Sequence, residues 1–311
     1  MSERTAHRKM PGRALLIVGV CLTLLGSVGA WLLLGREKSA PCNGLAESQR
    51  VQKSVGTAVH SGMSCAALGD AIVKASVGIE PGRHTQAQAQ AVKDVLFALG
   101  FGQPKDFTLD PALRAPLAAV LVDYTADVHT MLAGSDGKYV TEAGPSRDPW
   151  EADGTYHLAA FSEILKDTVR AVAQDPRAYA TVRAAQTHYA TQRLAAVPAD
   201  ATGYAFINPA MDNARVLGTL NGLTAGHSRD RAWRTTLRDH LLQAPPDPIT
   251  VFWAQKLKGT SQAQLTDVLR EQALDMTLAW SSTRTVEEPT RQGLLAQVET
   301  TELHAFQTIK P

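Results

Sequence analysis

Asp123 and Asp127 stand four residues apart, so a continuous helix would set both carboxylates on one face beside Tyr124. Two carboxylates so placed can divide general acid and base duties or hold a cation. The plainer alternative, a solvated flank of an amphipathic helix, is the preferred one. Nine histidines invite a metal hypothesis, but none forms His-Glu-x-x-His or a pair four apart on one helix. His129, His188 and His304 read instead as helix-surface or hydrogen-bonded core residues. No metal site and no cofactor are predicted.

Ser135-Asp-Gly-Lys138 has the Ser-x-x-Lys spacing of penicillin-binding enzymes. Those enzymes also need Ser-Asp-Asn and Lys-Thr-Gly, which do not occur, and Asp136-Gly137 is turn chemistry. Gly-x-Ser-x-Gly, a phosphate loop and a dinucleotide fingerprint are all missing from the sequence, so acyl and phosphoryl transfer have no visible site. Trp233, Trp253 and Trp280 lie on apolar stripes, where core packing suits them better than a ligand cleft. Trp150 is different, because it stands in a loop between Pro149 and Glu151. It is either pinned against helices or exposed as a partner contact.

Of three cysteines, Cys21 lies in an apolar run, which leaves Cys42 and Cys65 as an even pair. In an oxidising compartment such a pair reads as a Cys42–Cys65 disulfide. Two small buried thiols are the alternative.

The elements that must carry these residues are helical. Leu45 to about His60 is the first expected helix. Ser64 caps a second, to about Ser76, and Thr85 caps a third that Gly100 stops. Asp110-Pro111 is the clearest start, a capping carboxylate followed by proline at the first helical position. From it Leu113, Leu117, Val120, Leu121, Tyr124, Val128 and Met131 form one stripe over 111–133, a central core helix kinked near Pro116. Residues 135–154 form a long loop with a short hairpin near Lys138 to Thr141. Long loops often carry function. Further helices are expected over 156–173, from Pro176 to before Pro198, around Val216 to Leu223 after a looser stretch at 198–209, around Trp233 to Leu242, after Ser261, and from about Glu287. The fold class is all-α.

Ahead of these comes Ala14 to Leu34, a run of roughly 20 residues without a charge, about what a helix needs to span a hydrocarbon core. Arg4, Arg8, Lys9 and Arg13 precede it, which keeps the N-terminus cytoplasmic. A cleaved signal peptide ending near Ala30 is the rival, although Trp31-Leu32-Leu33-Leu34 extends the run past that point. The expected organisation is a basic cytoplasmic 1–13, a single transmembrane helix 14–34, a tether 35–44 and an extracytoplasmic helical domain 45–311 with a sub-boundary near 198–209. The lipid bilayer is thus one partner. The balance of 31 basic and 30 acidic residues, net +1, gives no electrostatic reason to expect nucleic acid.

Leu165-Lys-Asp-Thr-Val-Arg-Ala-Val-Ala-Gln-Asp-Pro-Arg-Ala-Tyr179 through Tyr189, and Ala214-Arg-Val-Leu-Gly-Thr-Leu-Asn-Gly-Leu-Thr-Ala225, are similar to helical segments of actinobacterial extracytoplasmic proteins of unknown function. Such proteins accompany type VII secretion and polymorphic toxin systems. The resemblance covers about 110–230 and implies no particular activity. Together these features point to an anchored, extracytoplasmic structural or protein-interaction module without a visible catalytic site, bound to another envelope protein. The alternatives are an envelope-acting hydrolase or a ligand-binding sensor with its site near the 134–155 loop.

Overall fold

In a computed structural model, which describes residues 41–309 apart from 105–106, 228 and 245, short polar side chains start most helices. Ser48 caps α1 (Gln49–Val55), Ser64 caps α2 (Cys65–Ser76), and Thr85 opens α3 (Gln86–Gly102) with a reciprocal capping box to Gln88. Asp110 caps α4 (Pro111–Asp123), which is followed without a loop by α5 (Thr125–Ala133). A short α6 (Gly137–Thr141) precedes β1 (Trp150–Ala152) and β2 (Thr155–His157). Beyond them lie α7 (Ser162–Val172), α8 (Pro176–Ala195), α9 (Gly203–Leu223), α10 (Arg231–Leu241) and α11 (Val251–Gly259). The series closes with α12 (Leu265–Arg270), α13 (Gln272–Ser282) and α14 (Glu288–Ile309). Among the described residues the fold is all-α but for one two-stranded hairpin.

The expected transmembrane run 14–34 lies outside the described residues. Among the described residues no helix is long and apolar enough to cross a membrane. The described residues form one compact unit.

Several boundaries differ from expectation, each for a local reason. The first helix is short because Gly56, at φ +109°, turns the chain where a helix from 45 to 60 was expected. Residues 41–44, expected as the end of a tether, belong to the folded body: Cys42 and Asn43 are buried, and Asn43 bonds Thr108 O and the Asp110 amide. The disulfide Cys42–Cys65 is present, with Cα atoms 5.1 Å apart. It joins this N-terminal knot to the first residue of α2.

The 111–133 segment breaks at Tyr124 rather than at Pro116. Pro116 is accommodated because α2 presents Gly69 to it; a Cβ there would lie 2.6 Å from the Pro116 ring. The Lys138–Thr141 hairpin is instead α6, and the true hairpin follows further along, Trp150–His157, turning at Asp153-Gly154, both at positive φ. Pro209 lies inside α9, which removes the looser stretch from 203 onward.

The longest packing runs between α9 and α14. Gly218 and Gly222, one turn apart, let the helices approach until a Cβ at Gly218 would stand 2.4 Å from the Glu302 carbonyl oxygen. Beside this seam the interior is polar. Arg183, fully buried, donates to Asn221 Oδ1 at 2.7 Å, to Gln272 Oε1 at 2.5 Å and to Leu269 O at 3.1 Å, tying α8 to α9, α12 and α13.

Candidate functional site

The two acidic residues that share a helical spacing do not share a site. Tyr124 ends α4 and starts α5 with φ −94° and ψ 31°, and its ring is fixed by a hydroxyl bond to Ser76 O at 3.1 Å. Asp123 and Asp127 therefore leave the break toward different partners. Asp123 accepts from the Gly78 amide at 2.8 Å and from His84 Nε2 at 2.9 Å. The His84 ring lies flat on Tyr124, ring centres 3.6 Å apart. Asp127 accepts from Tyr139 Oη at 2.5 Å, His157 Nδ1 at 2.7 Å and the Leu158 amide at 3.1 Å. Both carboxylates are buried, which corrects the expectation of a solvated flank.

Each aspartate thus holds a histidine, and both histidines hold the hairpin. His157 is the last residue of β2. The His84 amide donates to Thr155 Oγ1 at 2.8 Å, and its carbonyl accepts from the Tyr156 amide at 3.0 Å. Buried carboxylates are tolerated when their lone pairs are used in this way. The Asp127 hydrogen bond, with its charge, raises His157 above the ordinary histidine value. Burial, reinforced by Asp127, pushes the Tyr139 phenol above its usual range, and burial does the same to Tyr124. Both phenols stay protonated and act as donors.

Trp150 is half-buried at the head of β1. Lys138 Nζ lies 4.9 Å from its ring, His157 stacks on it at 5.6 Å, and Tyr139 meets it edge-on at 5.0 Å. The structure brings Trp150 and Asp127 together through His157 and Tyr139. It leaves Asp123 on the His84 side and the Cys42–Cys65 disulfide elsewhere in the fold. His157, Tyr139 and His84 were missed at the sequence level. The signal for His157 was the Asp153-Gly154 dipeptide, a strong two-residue hairpin marker.

Around the hairpin the loop is also strapped from the other side. Lys93, fully buried on α3, donates to Glu142 O at 2.8 Å, and burial lowers its pKa to about 8. Arg50 bridges Asp94 at 2.9 Å and Pro145 O at 3.1 Å. Next to Tyr139 opens a cleft of about 430 Å³ between α5, α6 and the start of α7, with Met131, Ala143 and Ala160 in its wall and Val140 and Phe161 at its mouth. Val140 is 67% and Phe161 43% exposed. Among the described residues no cluster of three metal-ligating side chains occurs.

A model of a family of unknown function, DUF6571, matches residues 63–238, more than half of the chain. The chain belongs to this family. The stretch matched to DUF6571 begins just before α2 and ends within α10, so it contains both Asp–His pairs, the hairpin and the cleft beside it. No curated protein and no solved structure matches the chain.

Proposed function

We propose that this member of DUF6571 is a single-pass membrane-anchored protein whose helical body lies outside the cytoplasm and serves as a protein-interaction module. It would seat an apolar segment of another envelope protein in the cleft between α5, α6 and α7. The observation that carries this reading is the apolar mouth of that cleft on a rigid frame. Val140 and Phe161 stand exposed there, and Phe161 and the 66% exposed Phe101 both rest on the buried Phe97. Single exposed apolar residues are ordinary on soluble proteins, whereas several at one concave site are a docking feature.

The compartment follows from two further supports. The apolar run 14–34 behind a basic segment favours insertion with the C-terminal part translocated, and a disulfide persists in an oxidising environment. The resemblance to extracytoplasmic proteins that accompany type VII secretion suggests where the partner would be sought. A hydrolase draws less support from this geometry. Among the described residues the one hydroxyl bonded to His157 is the Tyr139 phenol, which burial keeps protonated.

Photo-crosslinking tests the reading. A benzophenone amino acid at position 140 or 161 of the full chain, in intact cells, should yield one and the same protein adduct, abolished by Phe101→Asp and not produced from the exposed position 204. Adducts to lipid alone, or release of the full chain from membranes by alkaline carbonate, would sink it.

A further inference from the structure

A second cleft, of about 400 Å³, lies between α5, α7, α9 and α14, on the far side of Lys166 from the first. Its charged lining is cationic, Lys166 from α7 and Arg215 from α9, with the His304 ring from α14 beside them and no Asp or Glu among the lining residues. The acids nearby do not neutralise it. Glu163 bonds Lys166 Nζ at 2.8 Å but is itself 77% exposed, so water screens the pair. Asp212 is shared between Arg193 and Arg215, each at 3.0 Å, which leaves two guanidinium charges on one carboxylate. Of the Arg215 guanidinium only Nη1 is engaged among the described residues.

An independent sign comes from Thr219. It is 4% exposed in the middle of α9 and lines this cleft. Buried helical threonines elsewhere in the fold donate to a carbonyl three or four residues back, as Thr168 does to Ile164, Thr187 to Arg183, Thr191 to His188 and Thr277 to Ala273. The Thr219 hydroxyl makes no such bond among the described residues, and it is not one of the sealed, unpartnered atoms of the interior, so it reaches the cleft. The hydroxyl is therefore open to the cleft, where an oxyanion can accept its hydrogen bond in place of water.

We propose that this cleft binds a phosphate group, with the Thr219 hydroxyl and the Arg215 guanidinium as donors, Lys166 as a flanking charge and the His304 ring as a flanking hydrogen-bonding group. Guanidinium forks and hydroxyl donors match the oxygens of a phosphate, and the size of the cavity leaves room for the organic part of a phosphate ester or a lipid headgroup. The site shares Lys166 and Leu132 with the wall of the docking cleft, but its binding is read without any protein partner.

The test is calorimetric titration of the full chain in a neutral detergent with inorganic phosphate, at ionic strength held constant with sodium chloride. Saturable binding is expected, weakened about tenfold by Thr219→Val and by Arg215→Gln, each removing one charge-assisted bond. Arg231→Gln, at the exposed start of α10, should leave it unchanged. If Thr219→Val lowers the melting temperature sharply, Lys166→Gln and His304→Gln on the rim carry the comparison. Competition by dihexanoyl phosphatidylglycerol below its micellar concentration assigns the phosphate to a lipid headgroup; binding without competition assigns it to a soluble ester. No saturable binding, or a loss in Arg231→Gln equal to that in Arg215→Gln, overturns the proposal.

Discussion

Replacing Asp127 by asparagine keeps the shape of the side chain and removes its charge. Three donors converge on this buried group: the Tyr139 phenol, the His157 ring and the Leu158 amide. A neutral hydrogen bond contributes about 1 kcal/mol net, and one to an ionised partner about twice that. The substitution should therefore cost about 1 kcal/mol per bond, or about 3 kcal/mol in all. The cost should also depend on pH in a definite direction. His157 is raised above its ordinary value of about 6.5 by Asp127. Below about pH 6.5 the ring is protonated folded and unfolded, and its attraction to Asp127 is fully present. As pH rises through the raised value the ring loses its proton and that contribution is lost, while the bonds from Tyr139 and Leu158 remain. Urea unfolding of wild type and Asp127→Asn, followed by tryptophan fluorescence from pH 5.5 to 8, should thus give a difference that shrinks from about 3 to about 2 kcal/mol. A difference that is constant or grows with pH would show that His157 is not held by the Asp127 charge, and would refute the reasoning.

Lys93 should produce the opposite slope at higher pH. Its pKa of about 8 lies below the unfolded value of 10.5, so the unfolded chain binds more protons between the two, and wild-type stability should rise by about 3 kcal/mol from pH 8 to 10.5. Lys93→Met should flatten that rise in the same urea titrations, and an unchanged slope would remove Lys93 from the account. Removing the disulfide by Cys42→Ala with Cys65→Ala, across a sequence separation of 23, should cost about 3 kcal/mol in the chain-entropy model. Circular dichroism should then show melting lowered by about 6–12 °C. Gly218→Ala should destabilise by about 1–3 kcal/mol through contact with the Glu302 carbonyl, whereas Gly293→Ala, at an exposed position of α14 with nothing within 4 Å, should stabilise by up to about 1 kcal/mol. Equal effects at the two glycines in parallel denaturant curves would contradict the close approach of α9 and α14.

Capping chemistry made the helices legible. Ser64, Thr85 and Asp110 each accept the backbone bond their position in the sequence suggested, because a cap is a local event decided within four residues. The stripe from Leu113 to Met131 likewise identified the buried face of α4 and α5. What stayed hidden was set by distant residues. Pro116 stands inside α4 with its ring against Gly69 of another helix, which has no side chain to clash with it. Arg183, in a helix whose stripe looked ordinary, is fully buried because Asn221, Gln272 and a carbonyl from α12 meet it. No periodicity announces a buried polar network, since the polar residues that build it read as solvent-facing.

The acidic pair shows why a spacing rule can select the right residues and assign the wrong relation between them. Side chains four apart share a face only while the helix between them is continuous. Here Tyr124 interrupts it, with its hydroxyl drawn to Ser76 O and its ring covered by His84. The interruption sends Asp123 to the loop before α3 and Asp127 to the hairpin. Two carboxylates that could have repelled each other at one site become two separate anchors for the same hairpin. The frame of the docking cleft then rests on Asp127 more than on Asp123, since Asp127 alone bonds Tyr139, which stands in the cleft wall. It follows that Asp127→Asn should weaken crosslinking from position 140 while Asp123→Asn, which loosens only the His84 side, should spare it. Equal losses from the two substitutions would mean that the cleft is shaped by the hairpin as a whole, not by the Asp127–Tyr139 bond.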